Sequence, residues 1–251
     1  MVSQAVKGRL CLRNIIEIAD VSKKFGGTAV LEEINFEVKS GSITGLVGRN
    51  GAGKTTLLSI ILGLIHPSSG EIRINGNLAL DRVTNDVGFS INQGLFPSLT
   101  ARQHLQLISK LTNQTIDIER LLKDVDLVSK PKQKVKNFSL GMQQRLRLAI
   151  AISGKHPILI LDEPLNGLDP DGISWFRQRL LDLRSEGRTI LLSSHLLLEL
   201  TKVIDEVVIL DKRVLWAGSI ESAMRLSSDG SLEGFYKDIR VREWNDTIRE
   251  D

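Results

Sequence analysis

The stretch "GLVGRNGAGKTTLLSIILGL", residues 45–64, carries the strongest indication of the fold. An apolar strand precedes three glycines, Gly48, Gly51 and Gly53, and an apolar helix over about 54–64 follows them. Several backbone N–H groups can reach phosphate oxygens only where no side chain blocks them and where positive φ angles are allowed, and glycine meets both conditions. The following helix directs its free N–H groups and positive dipole end at the same anion. The stretch therefore predicts a polyphosphate-binding loop rather than a glycine-rich turn.

The spacing within this stretch fits G-x-x-x-x-G-K-[ST], the P-loop pattern. We call residues 48–56 the glycine loop. The candidate nucleotide-binding residues in it are Gly48, Arg49, Asn50, Gly51, Ala52, Gly53, Lys54, Thr55 and Thr56. Lys54 is expected to reach the β- and γ-phosphates, and the Thr55 hydroxyl is expected to ligate Mg²⁺.

A second stretch, "ILILDEP", supplies the carboxylates that such a site needs. Asp162 and Glu163 end an apolar run that is typical of a buried parallel strand. Adjacent residues at a strand end point in different directions, so Asp162 can hold the metal through water while Glu163 faces the γ-phosphate. Glu163 is then the candidate base for the attacking water. The alternative is two acids that merely cap a strand.

Strands that alternate with helices predict an α/β fold with a mostly parallel sheet. The sequence has 251 residues, of which 41% are hydrophobic and 25% charged, as in ordinary globular domains. No run reaches the roughly 18 to 20 apolar residues of a membrane span, and we see no signal peptide. Cys11 is the only cysteine, which excludes an internal disulfide. From about 100 to 127 the apolar spacing is helical, which predicts a helical subdomain inserted between the glycine loop and "ILILDEP".

A third motif indicates which family of phosphate-binding proteins the sequence resembles. "FSLGMQQR", residues 138–145, resembles the signature of the ATP-binding subunits of ABC transporters. "NGLDP" resembles their D-loop, with Asn166 and Asp169, and "SSH" resembles their H-switch, at His195. We call residues 139–143 the signature; its residues are Ser139, Leu140, Gly141, Met142 and Gln143. The S-L-G-M-Q form is similar to that of ABC-2-type exporters, including bacitracin- and lantibiotic-resistance ATPases.

The resemblance implies a P-loop ATPase fold with an N-terminal antiparallel β subdomain. It places an ABC ATPase domain at 14–220, with its nucleotide-binding core at 14–90 and 156–220 and its helical subdomain at 91–155. A C-terminal extension occupies 221–251. It further implies ATP with Mg²⁺ as ligands, and a signature that acts in trans on the nucleotide of a second ATPase subunit, identical or a paralogue. His195 is implied near the γ-phosphate. The resemblance also implies that the ATPase subunit lies on the cytoplasmic face of the membrane and drives export through a separate integral membrane permease.

Two family positions depart from the usual pattern. The Q-loop residue, a catalytic and metal candidate, falls at Gln93 by its chemistry or at Asn92 by register, because "VGFSINQGLFPSL" is one residue short. A plain loop is the alternative. Phe25 has the place of the aromatic that stacks on adenine, but it could equally be an ordinary core or surface ring.

Other features leave alternatives open. The four lysines of "KPKQKVK", residues 130–136, favour a solvated linker over a lipid or DNA patch, and we expect no nucleic-acid partner. The tail from about 227 predicts either a small packed extension or a dimer contact. A soluble ABC-type ATPase acting on ribosomes or DNA usually carries two cassettes or a coiled-coil insert, which this chain lacks. Intact Lys54, Asp162 and Glu163 disfavour a regulator that does not hydrolyse ATP.

Overall fold

A computed structural model describes residues 14–79, 86–91 and 94–250, with side chains as far as Val241. Two sheets and a set of helices make up this part of the chain. The strands are β1 Asn14–Phe25, β2 Thr28–Lys39, β3 Ile43–Val47, β4 Ser69–Ile74, β5 Asn77–Leu78, β6 Val87–Ser90, β7 Ile158–Leu161, β8 Thr189–Ser194, β9 Glu206–Asp211 and β10 Arg213–Ser219. The helices are α1 Lys54–Ile61, α2 Ala101–Thr112, α3 Ile118–Asp124, α4 Leu140–Ile152, α5 Pro170–Ser185, α6 Leu197–Leu200, α7 Ile220–Leu226 and α8 Leu232–Glu250.

The first sheet is antiparallel and near the N-terminus, as the family resemblance implies. Its strand order is β2-β1-β4-β5. β1 and β2 are joined by Gly26 and Gly27, which both have positive φ angles, of 54° and 86°. A two-residue loop with positive φ at both positions matches the right-handed twist of a hairpin, which is why glycines stand here.

The second sheet carries the predicted parallel core. Its order is β10-β9-β3-β8-β7-β6, with β10 antiparallel to β9 and the other pairs parallel. Every residue of β3, β7 and β8 is buried, because these central strands are covered on both faces of the sheet. The carboxyl ends of these three strands meet at one edge, where a doubly covered sheet places its ligands.

The two faces of this sheet pack against different layers. Ile158 and Ile160 face the antiparallel sheet and α1, whereas Leu159 and Leu161 face the other helices. The alternation follows from the two-residue period of a strand.

Two predicted helices end earlier than their apolar patterns suggest. α1 stops at Ile61 instead of 64, because Gly63 takes a φ of 66° and Leu64 N–H bonds the Ser59 carbonyl oxygen at 2.9 Å, which terminates the helix in a Schellman motif. The predicted 100–127 helical stretch is two helices, α2 and α3, because Asn113 ends α2 in the left-handed conformation. No helix in the described residues is long and apolar enough to span a membrane.

The tail forms a packed extension on the core. Leu232 and Phe235 of α8 are only 1% and 2% exposed and belong to the same cluster as Leu200 of α6. The four lysines within residues 130–136 are all exposed, in agreement with a solvated linker. Cys11 lies outside the described residues.

Candidate nucleotide-binding site

The glycine loop connects β3 to α1, and each of its glycines has a physical reason. A Cβ at Gly48 would lie 2.3 Å from the Leu210 carbonyl oxygen, and one at Gly53 would lie 2.5 Å from a Leu31 methyl. Gly51 has open space around it but a φ of 84°. Side chains are therefore excluded by close packing at two positions and by backbone conformation at the third.

Lys54 begins α1 and is buried beneath the loop. Its Nζ donates hydrogen bonds to the carbonyl oxygens of Gly48 at 2.6 Å and Arg49 at 3.2 Å. The same Nζ lies 3.5 Å from Glu163 Oε1. The loop is thus closed around a cation, and a phosphate that enters it would replace carbonyl oxygens as the partner of that cation.

Thr55 and Asp162, two of the three predicted metal-binding residues, are in contact. The exposed Thr55 hydroxyl donates to Asp162 Oδ2 at 2.8 Å, and Asp162 is only 5% exposed. Its other oxygen, Oδ1, accepts a 2.5 Å hydrogen bond from Ser193. No group of three or more His, Cys, Asp or Glu side chains in the described residues could hold a metal by itself. A hydroxyl and one carboxylate suit Mg²⁺, which takes few protein ligands and completes its shell with phosphates and water.

Glu163 lies between His195, another candidate catalytic residue, and Lys54 of the glycine loop. Its Oε2 is 3.0 Å from His195 Nδ1, and its Oε1 faces Lys54. Its backbone φ is 47°, a left-handed conformation that costs a non-glycine residue about 1 to 2 kcal/mol. Such strain concentrates at functional positions, where the surrounding structure fixes it.

Ser193 and Gln144 complete this arrangement, and the sequence analysis missed both. Ser193 also accepts a 2.8 Å hydrogen bond from the Glu163 N–H, so one hydroxyl holds both carboxylate residues. The Gln144 Nε2 contacts the carbonyl oxygens of Asn166 at 3.3 Å and Glu163 at 3.5 Å. The "SSH" and "MQQR" motifs contain these residues, but only strand pairing and helix packing assign the contacts.

The signature and D-loop form a second surface. Ser139 caps α4 by accepting from the Met142 N–H at 3.2 Å, and Asp169 caps α5 by accepting from the Gly172 N–H at 2.8 Å. Both residues line one cavity of about 350 Å³. None of the described residues that line this cavity belongs to the glycine loop of the same chain.

Phe25 and Arg49 are predicted site residues whose side chains make other contacts. Phe25 ends β1 with 49% exposure, and Lys23 Nζ lies 4.9 Å above its ring. Its stacking on adenine stays a prediction. Gln93 and Asn92 lie outside the described residues. Arg49 extends from the loop to Asp211, with 3.2 Å between its Nε and Oδ2.

The fold and the site together define a P-loop ATPase with a separate signature surface. The family model described as "ABC transporter" matches residues 31–166. The chain is 38% identical, over 91% of its length and 75% of the relative's, to "Uncharacterized ABC transporter ATP-binding protein YdbJ" of Bacillus subtilis (strain 168). It is 38% identical to "Bacitracin transport ATP-binding protein BcrA" of Enterococcus faecalis, over 79% of its own length and 67% of that protein's. A solved structure, "Structure of ATP binding subunit of ABC transporter", aligns with a TM-score of 0.81 and 30% identity, over 90% of this chain and 99% of that one.

The chain therefore belongs to the ABC transporter family, as an ATP-binding and ATP-hydrolysing subunit. The resemblance drawn from the signature, D-loop and H-switch is confirmed, and so is the predicted fold class. Neither alternative, the soluble ribosome- or DNA-acting ATPase or the regulator without turnover, receives support from these relatives.

Proposed function

We propose that the chain binds ATP with Mg²⁺ between two head-to-tail ATPase subunits and powers an exporter through a separate permease. The observation that carries this proposal is the convergence of three strand ends on one site. There, Thr55 from the glycine loop meets Asp162, and Glu163 lies between Lys54 and His195. Such an arrangement supplies a cation, a metal site, a base and a polar partner around one triphosphate.

Each side chain has a distinct role in this reaction. Lys54 leaves the loop carbonyls to hold the β- and γ-phosphates, and Glu163 orients and deprotonates the attacking water. His195 fixes the Glu163 carboxylate through their 3.0 Å contact and can donate toward charge that develops on the γ-phosphate. Thr55 and Asp162 would hold Mg²⁺, which supplies neutralisation of phosphate charge when it is bound.

The second subunit closes the site. Ser139 and the first N–H groups of α4 present an anion-binding surface that opens on the signature cavity, away from the chain's own loop. A second copy, turned head to tail, would bring this surface to the nucleotide. Asn166 and Asp169, in the D-loop beside the signature, would then lie at the subunit boundary. The ATPase domain that we propose at 14–220 would be the unit that closes, and its helical subdomain at 91–155 carries the signature.

A groove beside β6 is our candidate for the permease contact. It encloses about 380 Å³ and is lined by β6, α2 and α4, and Phe89, Phe96 and Leu111 expose large apolar side chains at or near it. Arg147 lines the same groove, and its Nε is buried without a hydrogen-bond partner. Burial lowers the pKa of Arg147 from its ordinary value. An apolar permease helix that carries one carboxylate fits this surface, because it would cover the apolar side chains and pair the guanidinium.

The form of the signature and one relative support the exporter role and the location that we propose. The S-L-G-M-Q signature and the likeness to a bacitracin transport protein support export rather than uptake. A subunit that docks on the cytoplasmic side of its permease would be peripheral to the inner face of the membrane. We propose no nucleic-acid partner.

Glu163→Gln tests the proposal, because it removes the base while keeping the shape of the site. We expect ATP turnover to fall about 100-fold or more, while MgATP binding persists and shifts the chain from monomer to dimer in light scattering. Asp171→Asn is the matched control, since it removes one exposed carboxylate next to the D-loop and should leave both properties unchanged. The proposed transport function would be refuted if the wild-type and Glu163→Gln chains both showed equal, negligible ATP turnover in the presence of the permease.

A further inference from the structure

The C-terminal helix α8 is anchored beside two parts of the ATP site. Its Phe235 ring packs edge-on against Trp216, with 5.0 Å between ring centroids and an interplanar angle of 82°. Leu232 and Phe235 share a buried cluster with Leu200 of α6, the short helix that follows His195. These contacts fix the first turns of α8 and therefore the position of Arg240 further along it.

Arg240 reaches the end of β9, where it meets a residue that also touches the glycine loop. Its Nη1 donates a hydrogen bond to Asp211 Oδ2. The same Oδ2 lies 3.2 Å from Arg49 Nε. The backbone reinforces this junction, since the Lys212 N–H donates to the Ala52 carbonyl oxygen at 3.1 Å. One carboxylate oxygen is therefore shared by a guanidinium of the loop and a guanidinium of the C-terminal helix.

We propose that Arg240 is a positioning residue that sets nucleotide affinity by acting, through Asp211, on Arg49. This assignment rests on the proposed nucleotide site but adds to it a role for the C-terminal extension. Arg240 does not touch the nucleotide itself. It controls how firmly Asp211 holds the arginine of the glycine loop.

The charges at this junction give the direction of the effect. Asp211 is well buried, with a side chain 10% exposed, whereas the Arg49 side chain is 61% exposed. With both arginines present the three groups carry a net charge of +1 beside the phosphates. Without Arg240 they carry none, and Asp211 has Arg49 as its remaining arginine partner and draws it away from the nucleotide. Both changes weaken the binding of an anion.

The test is equilibrium binding of MgATP to the full chain, followed by fluorescence, which needs no permease. Arg240→Ala is expected to raise the Kd about three- to tenfold, the range of one partly screened charge contact. Arg240→Lys should recover part of the affinity, because it keeps the charge but not the planar guanidinium. Lys237→Ala is the matched control: it removes an exposed cation from the same helix and should change the Kd less than about twofold.

A double-mutant cycle separates positioning from general loss of structure. In an Arg49→Ala background, Arg240→Ala should raise the Kd by a smaller factor than in the wild-type chain, because the effect that passes through Arg49 is gone and only the loss of the Arg240 charge remains. The kcat of Arg240→Ala should stay close to wild type while KM rises. Independent effects of the two substitutions, or equal effects of Arg240→Ala and Lys237→Ala, would overturn the proposal. Neither result would affect the motor function, which depends on Glu163.

Discussion

Replacement of Ser193 by alanine is the substitution that most directly examines the geometry of Asp162 and Glu163, the proposed metal-binding and catalytic carboxylates. Ser193 is the penultimate residue of the buried strand β8 and is 0% exposed. Its hydroxyl donates to Asp162 Oδ1 at 2.5 Å and accepts from the Glu163 N–H at 2.8 Å. Alanine keeps nearly the same volume, so Ser193→Ala removes these two hydrogen bonds and creates little cavity.

The size of the stability loss follows from those two contacts. A hydrogen bond to a charged group contributes about 1.5 to 3 kcal/mol, and a buried donor left without a partner costs about 1 to 3 kcal/mol. Partial relaxation at Glu163 reduces the sum, so we expect a loss of about 3 kcal/mol. For a chain of this size each kcal/mol lowers Tm by about 2 to 4 °C. The expected decrease in Tm is therefore about 6 to 12 °C.

The catalytic effect should exceed what this stability loss alone would cause. Glu163 has a φ of 47°, and the hydrogen bond from its N–H to Ser193 is one of the contacts that hold this conformation. Without it the carboxylate moves relative to the attacking water, and displacement of a catalytic group by about 1 Å can cost a hundredfold. We expect kcat to fall about ten- to a hundredfold. The affinity for MgATP should stay within about threefold of wild type, because Lys54 and the loop backbone are untouched.

The assay is thermal unfolding without nucleotide, together with ATP turnover in the presence of the permease. Ser194→Ala is the matched control, since Ser194 is also 0% exposed but accepts a hydrogen bond from the Leu196 N–H at 3.0 Å, outside the carboxylate pair. It should cost about 1 kcal/mol and leave kcat within about threefold of wild type. Similar Tm values for the two variants, or full turnover by Ser193→Ala, would refute the reasoning.

Three further predictions concern other parts of the chain. Gly167→Ala should lower the free energy of unfolding by about 2 kcal/mol or more and reduce turnover, because the added Cβ would lie 1.9 Å from a methyl of Leu140 in the signature. Gly187→Ala is the control: Gly187 also has a positive φ but lies in open space, so the loss should be about 1 kcal/mol. Denaturant unfolding measures the free energy of unfolding of both variants, and equal losses would contradict a steric clash at position 167. Phe25→Ala should weaken MgATP binding about tenfold if the ring stacks on the base; an unchanged Kd in a fluorescence titration would exclude stacking. Hydrogen bonds, chiefly from Ser231, lower the pKa of Asp229 from 3.8. The ionised Asp229 therefore contributes to stability above about pH 4, and this contribution is lost as pH falls through the lowered pKa. The Tm difference between wild type and Asp229→Asn should shrink in acid, and a difference that does not change with pH would contradict this.

Local chemistry explains why much of the site could be predicted from sequence. A phosphate loop needs glycines at fixed spacing before a helix, and Asp162 and Glu163 end a run whose apolar character identifies a buried strand. The cap at Ser139 is likewise a local pattern of a serine before a helix. Each of these signals lies within about ten residues of sequence.

The contacts that the sequence did not predict are those made between distant segments. Ser193 meets Asp162 because β7 and β8 pair in parallel with Leu161 opposite Leu192, which places the next residues side by side. A shift of one residue in that register would turn Ser193 to the other face, and no local pattern fixes the register. The bridge from Arg240 through Asp211 to Arg49 spans the chain in the same way. The φ of Glu163 depends on these neighbours, so it too lay beyond sequence patterns.

The position of Gln144 suggests how the two halves of the ATPase cycle are joined within one chain. Gln144 lies on α4, whose N-terminal cap is Ser139, and its amide contacts the backbone carbonyls of Glu163 and Asn166. In the proposed head-to-tail dimer, the partner's nucleotide would engage Ser139, and any shift of α4 would act on the backbone that carries Glu163. That backbone has a left-handed φ of 47°, so a small displacement there would reorient the carboxylate. Under this proposal, closure on the neighbour's ATP and readiness to hydrolyse the chain's own ATP would be mechanically linked through α4.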